Sequence, residues 1–214
     1  MTNAILYSFR RCPYAMRARM ALYASQINYE HREVVLRDKP DHMLEVSPKG
    51  TVPVFIQSNG DVIEESLELM HFALGQNDPH AWFNCNIDDA KNLIDSNDGP
   101  FKHHLDRYKY ASRYKDDAAR GDIDLSHRDS AEEHLQALEE RLENHNYLLG
   151  NKQSYADIAI FPFIRQFANT DLDWWKTAPY PKLRQWLQHH VQSDIFKTIM
   201  EKFPQWKPIE VRAV

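Results

Sequence analysis

The chain has 214 residues, enough for one large domain or two small ones, and its 26 basic and 31 acidic side chains leave a formal charge of −5. That balance argues against a dedicated nucleic-acid binder, and a hydrophobic fraction of 43% with 12% aromatics argues against global disorder. No apolar run approaches the roughly 20 residues that cross a bilayer, and Met1-Thr2-Asn3-Ala4 lacks the basic-then-apolar pattern of a secretory signal, so neither a membrane partner nor secretion is expected. With only two cysteines, Cys12 and Cys85, a disulfide scaffold and a multi-thiolate zinc site are excluded. The expectation is a soluble protein of a reducing compartment, the cytoplasm.

Ala4 to Ser8 is a short apolar run suited to a buried strand. Pro13 then opens a helical stretch to about Ala24, in which Ala15, Met16, Met20 and Ala21 share a face. Tyr29 to Leu36 is rich in strand formers, and Pro40 to Val46 allows one or two helical turns. Ser47-Pro48-Lys49-Gly50 is turn chemistry. Pro53–Gln57 and Asp61–Ile63 flank Ser58-Asn59-Gly60, a hairpin signal, and a helix from about Glu65 to Leu74 follows, stopped by Gly75.

Gln76-Asn77-Asp78-Pro79-His80 reads as a polar linker, and the pattern beyond it is helical. Ile87 to Ala111 reads as one long helix interrupted near Gly99-Pro100. Leu125 to Asn144 carries Leu135, Leu138 and Leu142 at spacings of three and four. Ser154 with Asp157 three residues on is a capping-box pattern ahead of the apolar run Ile158 to Phe167. Two shorter helices, about Lys182–His190 and Ile195–Phe203, close the chain. The expected organisation is an α/β domain over residues 1–75, a linker over 76–86 and an all-α domain over 87–214.

Arg10-Arg11-Cys12-Pro13-Tyr14-Ala15 carries the most chemistry. A strand ends, and a cysteine stands where the next helix begins. Pro13 suits the first helical position because its missing N–H has no partner there in any case. The positive end of the helix then faces the sulfur and favours thiolate, the reactive form, with Arg10, Arg11, Arg17 and Arg19 adding positive potential. A buried inert thiol is the plainer alternative for a lone cysteine. Ala15 stands where a dithiol oxidoreductase has its second cysteine. A resolving thiol must therefore come from outside, and glutathione is the abundant candidate in a reducing compartment. Cys85 reads as structural.

Cys12-Pro13-Tyr14-Ala15, Ser47-Pro48-Lys49-Gly50-Thr51-Val52-Pro53-Val54, Glu64-Glu65-Ser66 and Ser154-Tyr155-Ala156-Asp157 together resemble the glutathione S-transferase superfamily. The single Cys-Pro-aromatic-Ala motif is most similar to its cysteine-type, omega-like members. The resemblance covers almost the whole chain. It implies a thioredoxin-like N-terminal domain, an all-helical C-terminal domain of the glutathione-transferase kind, and glutathione as cosubstrate in the cleft between them. Cys12 would form a mixed disulfide with glutathione, beside Pro13 and Tyr14. Val52, ahead of a cis Pro53, would offer its backbone to the cysteinyl unit; an edge strand with an ordinary trans proline is the plainer alternative. Glu65 and Ser66 would hold the γ-glutamyl end, a pair that by itself reads first as a helix start. Lys39 would meet the glycyl carboxylate or else be a solvated surface lysine. Tyr7 and Ser8 fall on the preceding strand and read as core or rim residues.

Phe101, His104, Leu105, Tyr108 and Trp174 are candidates for a wall against the second substrate. His103-His104 and His189-His190 are no metal signature, because adjacent helical residues point in different directions, and no metal is expected. The resemblance implies a thiol transferase or reductase, acting in dehydroascorbate reduction or deglutathionylation, on a small oxidised, disulfide or electrophilic substrate. Conjugation of glutathione to electrophiles and a non-catalytic regulator of the same fold are the alternatives. The resemblance also implies a homodimer.

Overall fold

The computed structural model describes residues 3–208. Met1-Thr2, at the head of the expected first domain, and residues 209–214, at the end of the expected all-α domain, lie outside the described residues. No helix among the described residues is long and apolar enough to cross a membrane.

The first compact unit is built on a four-stranded mixed sheet in the order β2-β1-β3-β4. Strand β1 (Ile5–Ser8) is almost wholly buried, as a central strand covered on both faces must be. It pairs in parallel with β2 (Glu30–Glu33) across the helix α1 (Pro13–Ala24), and antiparallel with β3 (Val54–Ile56). The short helix α2 (Asp41–Val46) lies between β2 and β3 in the chain. β3 turns back into β4 (Val62–Ile63) through Asn59-Gly60, where Gly60 takes φ +96°, a conformation that favours glycine. Helix α3 (Ser66–Gln76) packs along α1, and runs through Gly75 instead of stopping there. This is the β-α-β then β-β-α order expected from the residues.

The second unit, His80–Ser193, is helical. Helix α4 (Ile87–Ser96) passes through a π-helical turn, Asn97–Phe101, into α5 (Lys102–Lys109). The break expected at Gly99-Pro100 is thus a widened turn: the extra residue accommodates the proline ring and its missing donor without ending the helix. Helices α6 (Leu125–Asn144) and α7 (Tyr155–Ala168) follow, then α8 (Leu172–Thr177) and α9 (Pro181–Gln192). The six-residue α8 has no counterpart in the sequence reading, because it is too short to show periodicity; the Asp171 side chain accepts from Trp174 N–H at 3.0 Å and starts it.

Helix α7 is apolar on every side and buried from Tyr155 to Ile164, the central element of its unit. Asp157 is fully buried at its start and accepts from Ser154 N at 2.8 Å, Ser154 Oγ at 2.5 Å, Leu148 N at 3.0 Å and Trp186 Nε1 at 2.8 Å. The capping box read from the sequence therefore also ties down the preceding loop and α9.

The final helix, α10 (Asp194–Ile199), belongs to the first unit, which takes in residues 3–79 and 194–208 of those described. The domain expected over 87–214 differs here for a physical reason. Arg19 Nε of α1 donates to Ile199 O at 3.2 Å, and Trp206 N–H donates to Glu33 O at 2.9 Å. The Arg32 guanidinium lies 4.1 Å from the Trp206 ring. The closing segment thereby covers the outer edge of β2.

Two core histidines of the second unit set an acid limit. His134 stacks on Phe101 with Nδ1 3.1 Å from Ser96 Oγ, and His190 stacks on Phe161 with Nδ1 3.3 Å from Gln153 Nε2. Burial pushes His134 down to about 4 and His190 down to about 3. In the unfolded chain each titrates near 6.5, so below that pH the unfolded state binds more protons and stability falls with acid. Between pH 6.5 and 4.5 the unfolding free energy from urea titration is expected to fall by about 2 kcal/mol for each histidine. His190→Gln should remove its share of the slope; an unchanged slope would assign the acid sensitivity elsewhere.

Candidate active site

The connection from β1 to α1 places Cys12 as the residue that precedes the first turn of α1, with extended backbone angles and Pro13 behind it at the first helical position. Cys12 N–H donates to Phe9 O at 3.0 Å, and Cys12 O accepts from Met16 N at 2.9 Å. The backbone is therefore fixed on both sides of the thiol. The side chain does not cap the helix. Instead Sγ lies 3.7 Å from Val52 O and donates to it. Val52-Pro53 is a cis peptide, and both residues are buried. Two of the motifs read from the sequence, 40 residues apart, thus meet at one sulfur.

Arg19 holds that connection in place. It is 2% exposed, donates from Nη2 to Arg10 O at 2.8 Å and from Nη1 to Phe9 O at 3.4 Å, and also donates to Ser8 Oγ. Burial pushes its guanidinium down to about 10, with Glu33 and Cys12 among the charges opposing that shift. It stays cationic at neutral pH. Glu33 secures the same segment from β2, accepting from Arg10 N–H at 2.8 Å.

Arg17, one helical face away, is also 2% exposed. Its Nε donates to Ser66 Oγ at 3.0 Å, and its guanidinium lies 5.0 Å from the Tyr14 ring. It therefore links the aromatic beside Cys12 to the first residue of α3. The sequence reading treats Arg17 and Arg19 only as nearby positive charge. Ala15, Ala18 and Ala21 beside them in α1 leave room for two inward guanidinium groups.

Glu65 immediately precedes α3 and is exposed, in an ion pair with Lys49. That hydrogen bond raises the Lys49 ammonium above its usual range. Glu64 accepts from Ser47 Oγ and holds the 47–50 turn to the same segment. Gly50 at φ +63° is buried under Leu44 and Lys39; a Cβ there would stand 3.3 Å from Leu44 Cδ2 and 3.4 Å from Lys39 Nζ. Lys39 is thereby half-buried over this turn. Tyr7 and Ser8 are fully buried, and Tyr7 Oη is engaged by Arg32 Nη1 at 2.6 Å and His42 Nδ1 at 2.7 Å.

The residues expected on a second-substrate wall divide. Phe101, Leu105 and Tyr108 are at most 1% exposed and belong to the core around Phe167, so they present no surface in this conformation. Burial pushes Tyr108 up to about 12. His104 and Trp174 are half-buried; Trp174 carries the Arg128 guanidinium 4.8 Å above its ring. Cys12 and Cys85 are half-buried, and neither forms a disulfide.

Residues 6–81 match the glutathione S-transferase N-terminal domain family, and residues 101–189 match the glutathione S-transferase C-terminal domain family. The chain is similar to glutathione S-transferase omega-1 of Mus musculus, 27% identical over 194 residues that span 85% of this chain and 74% of that protein. It is 26% identical to glutathione S-transferase U19 of Arabidopsis thaliana over 200 residues, 90% of this chain and 87% of the relative. Among solved structures, glutathione transferase Omega 3C of Trametes versicolor shares the fold with a TM-score of 0.75 at 20% identity, covering 95% of this chain and 91% of that one.

The Arg19 fork gives this site a stability signature. Arg19→Lys keeps the charge but cannot serve acceptors at Ser8, Phe9, Arg10 and Ile199 together. Unfolding free energy by denaturant titration is expected to fall by about 2 kcal/mol, while the exposed Arg11→Lys should stay within about 0.5 kcal/mol of the parent.

Proposed function

From a chain that belongs to the glutathione S-transferase superfamily, as an omega-like member with glutathione as its substrate, we propose a thiol transferase in which Cys12 is the exchanging nucleophile. The observation that carries this reading is the Cys12 sulfur at the head of α1, 3.7 Å from Val52 O. The resting thiol donates to Val52 O, and the positive helix end and the nearby cationic Arg19 favour its ionisation once that contact is released.

In the proposed reaction the Cys12 thiolate attacks the glutathionyl sulfur of a mixed disulfide. A Cys12–glutathione disulfide forms, and the substrate leaves as a thiolate that takes a proton from water. A second glutathione thiolate then attacks the Cys12-bound glutathionyl sulfur, giving oxidised glutathione and returning the Cys12 thiolate. Ala15 in place of a second cysteine makes the external thiol necessary. Dehydroascorbate reduction instead consumes two glutathione thiols: one is joined to Cys12 as the disulfide while two electrons and two protons pass to the substrate, and the second releases it as oxidised glutathione.

The binding roles follow from the donors and acceptors present. Val52 supplies the backbone groups that face the cysteinyl unit. Arg17 occupies one lone pair of Ser66 Oγ, so the hydroxyl proton remains a donor for the γ-glutamyl carboxylate at the start of α3. The γ-glutamyl ammonium takes the place of Lys49 on Glu65, an exchange of one exposed ion pair for another that costs under about 1 kcal/mol. Lys39 over Gly50 meets the glycyl carboxylate. Residence in a reducing compartment and a homodimer belong to the same reading.

Cys12→Ser is expected to lower the rate of deglutathionylation of a glutathionylated peptide by at least about a hundredfold. An aryl halide conjugation assay on the same two proteins separates the rival activity. Retained deglutathionylation in Cys12→Ser, or conjugation that improves in it while deglutathionylation is absent from both proteins, would replace this reading with glutathione conjugation.

A further inference from the structure

His103 and His104 are neighbours in α5, turned apart by about 100° of helical rotation, and form no chelate by themselves. The structure adds His127, in the first turns of α6. One ring nitrogen from each of the three lies within 4.8 Å of the other two. The ring centroids are 5.1 Å apart for His103 and His104, 5.0 Å for His104 and His127, and 6.0 Å for His103 and His127. His104 Nδ1 and His127 Nδ1 face each other at 2.8 Å.

We propose that His103, His104 and His127 form a binding site for a divalent late first-row transition ion of the zinc class. Tetrahedral coordination at about 2.0–2.1 Å holds ligand nitrogens about 3.3–3.4 Å apart, so small ring rotations convert the cluster into a three-nitrogen site with one position left for water. An all-imidazole donor set selects zinc, copper or nickel over calcium and magnesium, which take oxygen. Two Nδ1 atoms in contact need something electropositive between them. Here one ring must donate its Nδ1–H to the other; a metal ion takes that place when both rings carry their proton on Nε2.

The surroundings define the competitor. Arg107 Nη1 donates to His103 Nδ1 at 3.0 Å and brings a positive charge next to the site. Asp124 is turned away toward Lys115, 2.6 Å from its ammonium, and toward Ser126 Oγ at 2.7 Å, so it supplies charge near His127 without being a ligand. An ion at this point cross-links α5 to the start of α6 and ties together the two ends of residues 110–124.

The test is isothermal titration of the untagged full chain with Zn²⁺ alone. One ion per chain is expected, with affinity at least about tenfold weaker in both His127→Gln and the more exposed site variant His103→Gln, each checked for native circular dichroism. Arg107→Gln should tighten binding, and Cys12→Ser should leave it unchanged. Absence of binding, binding that both histidine variants retain, or binding lost in Cys12→Ser overturns the proposal.

Discussion

A guanidinium buried in the first helix governs where the Cys12 sulfur stands. A thiol at the end of a strand is useful only if the strand-to-helix connection is rigid, since that connection has few backbone partners of its own. Arg19 supplies them. Its fork reaches Ser8 Oγ, Phe9 O and Arg10 O on one side and Ile199 O on the other. Burying a cation is costly unless its donors are satisfied, and here the acceptors are the backbone that positions Cys12. The stability of the unit and the geometry of the thiol therefore depend on the same hydrogen bonds. This also explains why α10 and the Trp206 segment return to the first unit: they close the far side of the Arg19 site and the edge of β2.

Around that anchor, the groups proposed to bind glutathione are connected to one another. Arg17 joins Tyr14 to Ser66, and Ser47 joins the 47–50 turn to Glu64 beside Glu65. Gly50 allows Lys39 to lie close over the turn. A hydroxyl and two opposite charges are thus supported from behind by hydrogen bonds that a ligand need not disturb. The exposed Lys49–Glu65 pair and the Cys12–Val52 contact have to open. Such preorganisation reduces the ordering cost of binding a flexible tripeptide.

Much of this was legible in the residues. Pro13 marked the start of α1 to the residue, Asn59-Gly60 marked the hairpin, and Ser154 with Asp157 marked the cap of α7. Each of these is local chemistry with a short range. What escaped the sequence depends on distance along the chain. Arg17 and Arg19 look like surface charge until α3 and α10 are seen packed against α1. The return of residues 194–208 to the first unit has no local signal. Phe101, Leu105 and Tyr108 lie on helical spacings that mark an apolar face without telling core from ligand wall. His103-His104 lacked metal-site spacing for a sound reason, and only the folding of α6 against α5 brings His127 to them.

The central claim is that Cys12 itself exchanges with glutathione. The most direct measurement is intact-protein mass after incubation with oxidised glutathione, for the parent chain and for Cys12→Ser. One glutathionyl adduct on the parent, absent from the variant and removed by reduced glutathione, is the predicted result. An unmodified parent, or an adduct that persists in Cys12→Ser and so resides on Cys85, would contradict the account.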